Sequence, residues 1–164
     1  MNYLELQKKQ QELDDYIIKT KGLDLHPEHL LSNMFSAAID ELMVEVADDM
    51  HNSEEWVDVL HFVLSIANKY ELELFDMEDL ISDRGLLGLH VECSRSLLIA
   101  HRFSKCFKHW SNKRPDEPML TTIEMYLSRC VECIRLACIK LGTDMITEYN
   151  KKYEINVQRQ KEGY

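Results

Sequence analysis

An all-α helical bundle is the fold class that this sequence predicts, and three observations carry the prediction. Glycine and proline are scarce, five and three in 164 residues, so little interrupts helix propagation. Apolar residues recur at spacings of three and four over most of the chain, which is the period of one helix face. No stretch alternates apolar and polar residues as a half-buried strand would. The length suits one domain with its own core, and no linker or low-complexity segment divides residues 1–164. Within that domain an acidic half is expected over about 1–80 and a supporting half over about 86–164.

The elements follow in order. Residues 2 to about 20 set Leu4, Leu13, Ile17 and Ile18 among charges, and Gly22 is placed to cap that helix at its C-terminus. Pro27 suits the first turn of a second helix. From about 28 to 49, Leu31, Met34, Phe35, Ala38, Leu42, Val46 and Asp49 keep the spacing of three and four. "HNS" at 51–53 reads as a compact turn with Ser53 as N-cap, and Glu54 and Glu55 complement the helix dipole that follows. The third helix runs to about Tyr70 with Trp56, Leu60, Val63 and Ala67 on its core stripe. After a polar break near Ser82 to Gly88, helices are expected at 89–109 and 119–141, separated by the turn "SNKRPDEP". A short helix near 143–152 then leads into a charged tail. "IEMYLSRC" at 123–130 echoes "SEEWVDVL" at 53–60, with Met125 and Ser128 where the acids stand, as in an internal duplication.

Charge narrows the function classes. A formal charge of -10 repels nucleic acid and acidic membrane surfaces, so neither is an expected partner. A small anionic ligand therefore needs a metal or a local basic cluster. The five cysteines, at 93, 106, 130, 133 and 138, repeat no metal-ligand spacing. Buried, reduced thiols of a cytoplasmic protein are the expectation. There is no basic-then-apolar leader and no apolar run of 18 residues, so neither secretion nor membrane spanning is expected. Leu97, Leu98, Ile99, Phe103 and Phe107 occupy more than one stripe of the helix over 89–109. One of those stripes suits a second copy of the chain, and a homodimer is expected.

The stretch "DELMVEVADDMHNSEEWVD" at 40–58 crowds like charge into a helical hairpin. With a turn centred near 51–52, two opposed helices bring Glu45 to face Asp58 and Asp48 to face Glu55. The i, i+3 spacing keeps each pair on one face. At about 4 Å, each like-charge pair costs on the order of 1 kcal/mol in water and about 4 kcal/mol at an effective dielectric of 20. A divalent cation removes that cost, and an all-oxygen site suits magnesium, with manganese as the alternative. A second reading makes the acids a solvated face, with Asp40, Glu41, Asp49 and Glu54 as its members. A third pairs Asp58 with His61 as in di-iron bundles, although those need the pair twice.

At this point the residues resemble a family. "EEWVDVLHFVLSIAN" at 54–68 is similar to the second acidic motif of the dimeric, all-α dUTPases, relatives of the MazG-like nucleotide pyrophosphatases. "QQELDDYIIKTKGL" at 10–23 resembles their first helix, and "YNKKYEINVQRQKEGY" at 149–164 resembles their C-terminal signature. The resemblance implies an all-helical homodimer of the all-α NTP pyrophosphatase type, which uses magnesium to hydrolyse dUTP, and often dUDP, to dUMP.

The resemblance implies metal ligation by Glu55 and Asp58. The family's first motif is usually E-x-x-E, and this sequence departs from it. Glu45 and Asp48 keep i, i+3, whereas Glu41 and Glu45 are i, i+4, so Glu41 is an outer ligand or a competitor for the role. Glu45 is the preferred acceptor for the attacking water's proton. Lys152, Asn156 and Arg159 resemble phosphate and sugar contacts and share one helical face. Gln10 and Asp14 resemble positions near the base, where an amide can satisfy both a donor and an acceptor of uracil. Lys108 and Trp110 in "CFKHWSNKRP" resemble a substrate-loop element that the family places between its acidic motifs, whereas here it follows the second. The altered spacing also leaves open a MazG-like pyrophosphatase for another nucleotide such as dCTP, or a non-catalytic interaction protein of the same fold.

Overall fold

A computed structural model of the chain describes residues 3–21, 27–77, 84–105 and 117–163, with 27–30 by backbone alone. Gly22, Lys108, Trp110 and Phe107 lie outside the described residues. Six α-helices follow one another: α1 (Leu4–Lys21), α2 (Pro27–Asp40), α3 (Ser53–Lys69), α4 (Leu86–Lys105), α5 (Glu117–Lys140) and α6 (Met145–Lys161). A π-helical segment, Glu41–Val46, continues α2 directly. No strand occurs among the described residues, and no helix among them is long and apolar enough to cross a membrane.

Helix α3 is the hub, packed against α1, α2, the π segment, α5 and α6. Its sequence dictates this, because "WVDVLHFVLSIA" is apolar almost all round and a helix of that kind must be buried. Trp56, Leu60, Val63 and Ala67 are fully buried, and with Phe35, Leu42 and Val46 on one side and Leu127 and Val131 on another they form one continuous core. Helices α4 and α5 pack along each other and add Leu89, Leu97 and Ile134 to the same core. Cys93, Cys130, Cys133 and Cys138 are buried there as free thiols.

Local chemistry sets the helix ends. Asn52, in extended backbone, caps α3 by accepting from the Glu54 amide at 3.1 Å, one residue earlier than the sequence predicts. Asp144 caps α6 by accepting from the Thr147 amide at 3.0 Å. Helix α5 closes with paired bonds from Thr143 N–H to the Cys138 carbonyl (2.9 Å) and from Gly142 N–H to the Ile139 carbonyl (3.0 Å). Gly142 takes a φ of 76° there, a conformation that a Cβ would strain.

Two elements differ from the sequence reading. Helix α6 runs 17 residues to Lys161 instead of giving way to a tail after 152. Its Lys, Glu, Gln and Arg residues are good helix formers, and buried Met145 and Tyr149 anchor its first turns, so the charge marks an exposed helix face. Helix α4 starts at Leu86, which places Gly88 in its first turn and not in a polar break.

The extended segment after α3 is pinned by one buried side chain. Gln7 on α1 donates to the Leu72 carbonyl at 2.7 Å and accepts from the Leu74 amide at 3.0 Å. Asn68 adds a bond of 2.8 Å to the Gln7 carbonyl. Gln7→Leu leaves two buried main-chain groups without partners. The expected loss of stability is roughly 2–6 kcal/mol, since each such group costs about 1–3 kcal/mol. Urea unfolding monitored by circular dichroism checks this, with an unchanged m-value showing that the loss lies in the folded state.

Candidate active site

The face of α3 that the core leaves partly open carries Glu55 and Asp58, one turn apart. Glu41, the first residue of the π segment, comes to the same point from across the hairpin. One carboxylate oxygen from each of Glu41, Glu55 and Asp58 lies within 4.8 Å of the others, and all three side chains are half-buried. Glu45 is exposed at the rim, where its charge acts on both Glu41 and Glu55. Asp48 is exposed and stands outside the three-carboxylate group.

The π segment accounts for this membership. Equal distance from a turn near 51–52 finds facing residues only if both helices keep α geometry to the turn. A π turn bonds i to i+5 and takes up one extra residue. That shifts every position before it relative to α3, and the wider turn keeps Glu41 and Glu45, four apart, toward one side.

Repulsion defines the electrostatics of the cluster. The Glu41, Glu55 and Asp58 carboxyls are all held above the usual carboxylate range, each by burial first. Asp58 and Glu45 then push both Glu41 and Glu55 upward. Lys152 on α6 opposes the shift at Asp58, with Nζ at 3.0 Å from Oδ2, and the Arg159 charge acts in the same direction. Half-buried carboxylates that raise one another, with one lysine in direct contact among the described residues, fit a hard divalent cation, for which oxygen ligands are the matching donor set.

A cavity of about 270 Å³ adjoins this cluster, one turn further along α3. Leu13, Ile17, Met34 and Phe62 form its apolar walls, and Gln10, Asp14, His61, Ser65, Asn156 and Gln160 supply polar atoms. The Gln10 amide joins three helices. Its Nε2 donates to Asp14 Oδ1 at 2.9 Å, which fixes the amide's orientation because a carboxylate oxygen needs a donor. Its Oε1 therefore faces Tyr149, whose hydroxyl donates to it at 3.0 Å, and His61, whose Nδ1 lies at 2.7 Å. An oxygen only accepts, so His61 carries its proton on Nδ1. His61 Nε2 is left as a buried lone pair with no protein partner among the described residues, and so is Gln160 Oε1. Tyr149 also stacks on the imidazole with ring centroids 4.5 Å apart.

Of the residues singled out in the sequence, Gln10, Asp14 and Asn156 meet in this cavity, and Lys152 meets Asp58. Arg159 is exposed on α6. Phe62, Ser65, Tyr149 and Gln160 escape the sequence reading, and His61 enters it only as a candidate metal ligand. Helical spacing held a signal for some of them. His61, Phe62 and Ser65 are three, four and seven residues after Asp58, and Gln160 is four after Asn156.

A family model described as dUTPase matches residues 2–164. Neither a curated protein nor a solved structure matches the chain.

Burial pushes His61 down from 6.5 to about 3, with the Lys152 charge acting in the same direction. The unfolded chain takes up this proton near 6.5, but the folded chain does not until about 3. The stability from a neutral His61 is thus complete above about pH 6.5 and is lost as pH falls from there toward 3. The expected slope is about 1.4 kcal/mol per pH unit inside that window. The raised carboxylates act in the opposite sense, because their folded forms hold protons more tightly. Urea unfolding of the parent and of His61→Phe at pH 7, 6 and 5 isolates the histidine part, and the variant is expected to lack it.

Proposed function

The chain belongs to the all-α dUTPase family, and on that premise we propose that it hydrolyses dUTP, and also dUDP, to dUMP in a magnesium-dependent reaction at the Glu41, Glu55 and Asp58 cluster. One observation carries this reading: a carboxylate cluster and a cavity with unpaired buried acceptors lie one turn apart on the same helix. A nucleotide has the matching layout, with an anionic phosphate chain at one end and a flat, hydrogen-bonding base at the other. Magnesium bound by these carboxylates would offset phosphate charge and lower the pKa of the attacking water.

The chain's own groups divide the remaining work. Lys152 and Arg159 neutralise phosphate charge from α6, which the net negative protein requires. Glu45, exposed beside the cluster, accepts the proton of the attacking water. The Gln10, Asp14 and Tyr149 network holds His61 in one tautomer with Nε2 as an acceptor. Uracil presents a ring N–H between two carbonyls, so that acceptor suits it. Cytosine presents a lone pair at the same ring position, and two facing lone pairs leave a buried group unsatisfied at about 1–3 kcal/mol.

The reading is tested by following pyrophosphate and phosphate release from a panel of nucleotides, dUTP, dUDP and dCTP among them, with and without magnesium. Release from dUTP is expected to need the metal. Asp58→Asn is expected to lower turnover roughly 100-fold or more, because the lost charge acts on the transition state. The metal-free melting temperature should hold or rise, since one source of repulsion is removed. His61→Phe should narrow the preference for dUTP over dCTP. Turnover by Asp58→Asn at the parent rate would remove the cluster from the chemistry.

The same reading includes a homodimer. Leu87, Val91 and Leu98 are exposed at 68%, 55% and 44%, and their spacing places them along one side of α4. An apolar stripe of that length suits a second copy of the chain. Light scattering at micromolar concentration is expected to give twice the chain mass, and Val91→Glu to reduce it to one.

A further inference from the structure

Carbonyl groups inside a helix normally accept from the helix's own amides. The Leu42 carbonyl, inside the π segment, also has a donor from another helix. His90 on α4 places Nε2 at 2.6 Å from it. The oxygen can only accept, so Nε2 carries the hydrogen. The imidazole also meets Trp56 edge-on, with ring centroids 6.2 Å apart. Trp56 is fully buried, and its indole donates to the Met50 carbonyl at 2.9 Å in the hairpin turn. His90 therefore touches the residue after Glu41 and the residue after Glu55, one on each arm of the hairpin that carries the carboxylates.

We propose that His90 is a positioning residue for the carboxylate cluster: its bond to Leu42 holds residues 41–46 in π register and so keeps Glu41 beside Glu55 and Asp58. A π turn is an uncommon register, and relaxing it to α moves the flanking helix by one residue, a rotation of about 100°. Glu41 would then leave the face that meets α3. His90 makes no contact with a cluster carboxylate, so its influence passes through backbone geometry. Outer groups of this kind orient the ligands that a metal meets. The inference rests on reading the cluster as the metal site.

The test is manganese binding to the metal-free protein, without nucleotide, followed by the electron paramagnetic resonance of the free ion. His90→Phe keeps the edge contact with Trp56 and removes the donor. Manganese binding is expected to weaken roughly 10–100-fold. His90→Gln, whose amide nitrogen reaches as far as Nε2, is expected to restore binding to within about threefold of the parent. If His90→Phe does not fold, as judged by circular dichroism, His90→Asn takes its place, because its amide is one methylene short of Leu42. Parent-like binding in His90→Phe or His90→Asn would overturn the role of His90 alone. A parent protein that binds no manganese would overturn the metal reading of the cluster, and the positioning role with it.

Discussion

One constraint governs the rest of the structure: α3 must be buried on nearly every side and still present a polar strip. Ten of its seventeen residues are buried, so five neighbouring segments close around it. The polar strip on it runs from half-buried Glu55 and Asp58 to buried His61, at steps of three. A charged group there cannot be left without partners, because desolvation raises its energy. Each polar residue on the strip accordingly has a counterpart from another element. Glu41 arrives from the π segment, Lys152 from α6, and Gln10 from α1. The fold and the candidate site thus follow from the same burial of α3.

The elements that converge on this strip are held by polar contacts as much as by apolar ones. Gln10 links α1 to α3 and α6 through His61 and Tyr149. Lys9 adds a bond of 2.9 Å to Asn150 and lies over the Tyr153 ring. His90 links α4 to the π segment. Such networks are rigid when every member is satisfied. Among the described residues His61 Nε2 has no protein partner, and neither has Oε1 of Gln160, which lines the same cavity. Unsatisfied buried acceptors are rare in folded proteins, and their position at a cavity wall is what gives them meaning.

Much of this was legible in the sequence, for reasons that differ by residue. The all-helical class followed from periodicity and from the shortage of glycine and proline. Glu55 and Asp58 were visible because i, i+3 spacing on one α-helix places side chains without further knowledge of the fold. Gln10, Asp14, Lys152 and Asn156 came from family resemblance, since no local pattern marks a cavity lined by three helices. The π segment was not legible: a change of hydrogen-bond register by one residue leaves the pattern of apolar spacing almost untouched. Equal distances from the turn therefore favoured Asp48 over Glu41. His61 was visible as a residue but not in its tautomer, which depends on Gln10, 51 positions away. The helical nature of residues 153–161 was hidden by their charge, which a solvated helix face and a tail share.

The contact between Lys152 and Asp58 has a stoichiometric consequence. When ionised, the three clustered carboxylates and the one lysine at 3.0 Å carry two negative charges between them. Adding Glu45, Glu54, Asp49 and Arg159, whose charges also act on these carboxyls, brings the total to four negative charges. A single doubly charged ion would bring the inner group of three carboxylates and one lysine to neutrality. In charge-counting terms the inner group matches one doubly charged ion, and the acids around it keep the surroundings negative.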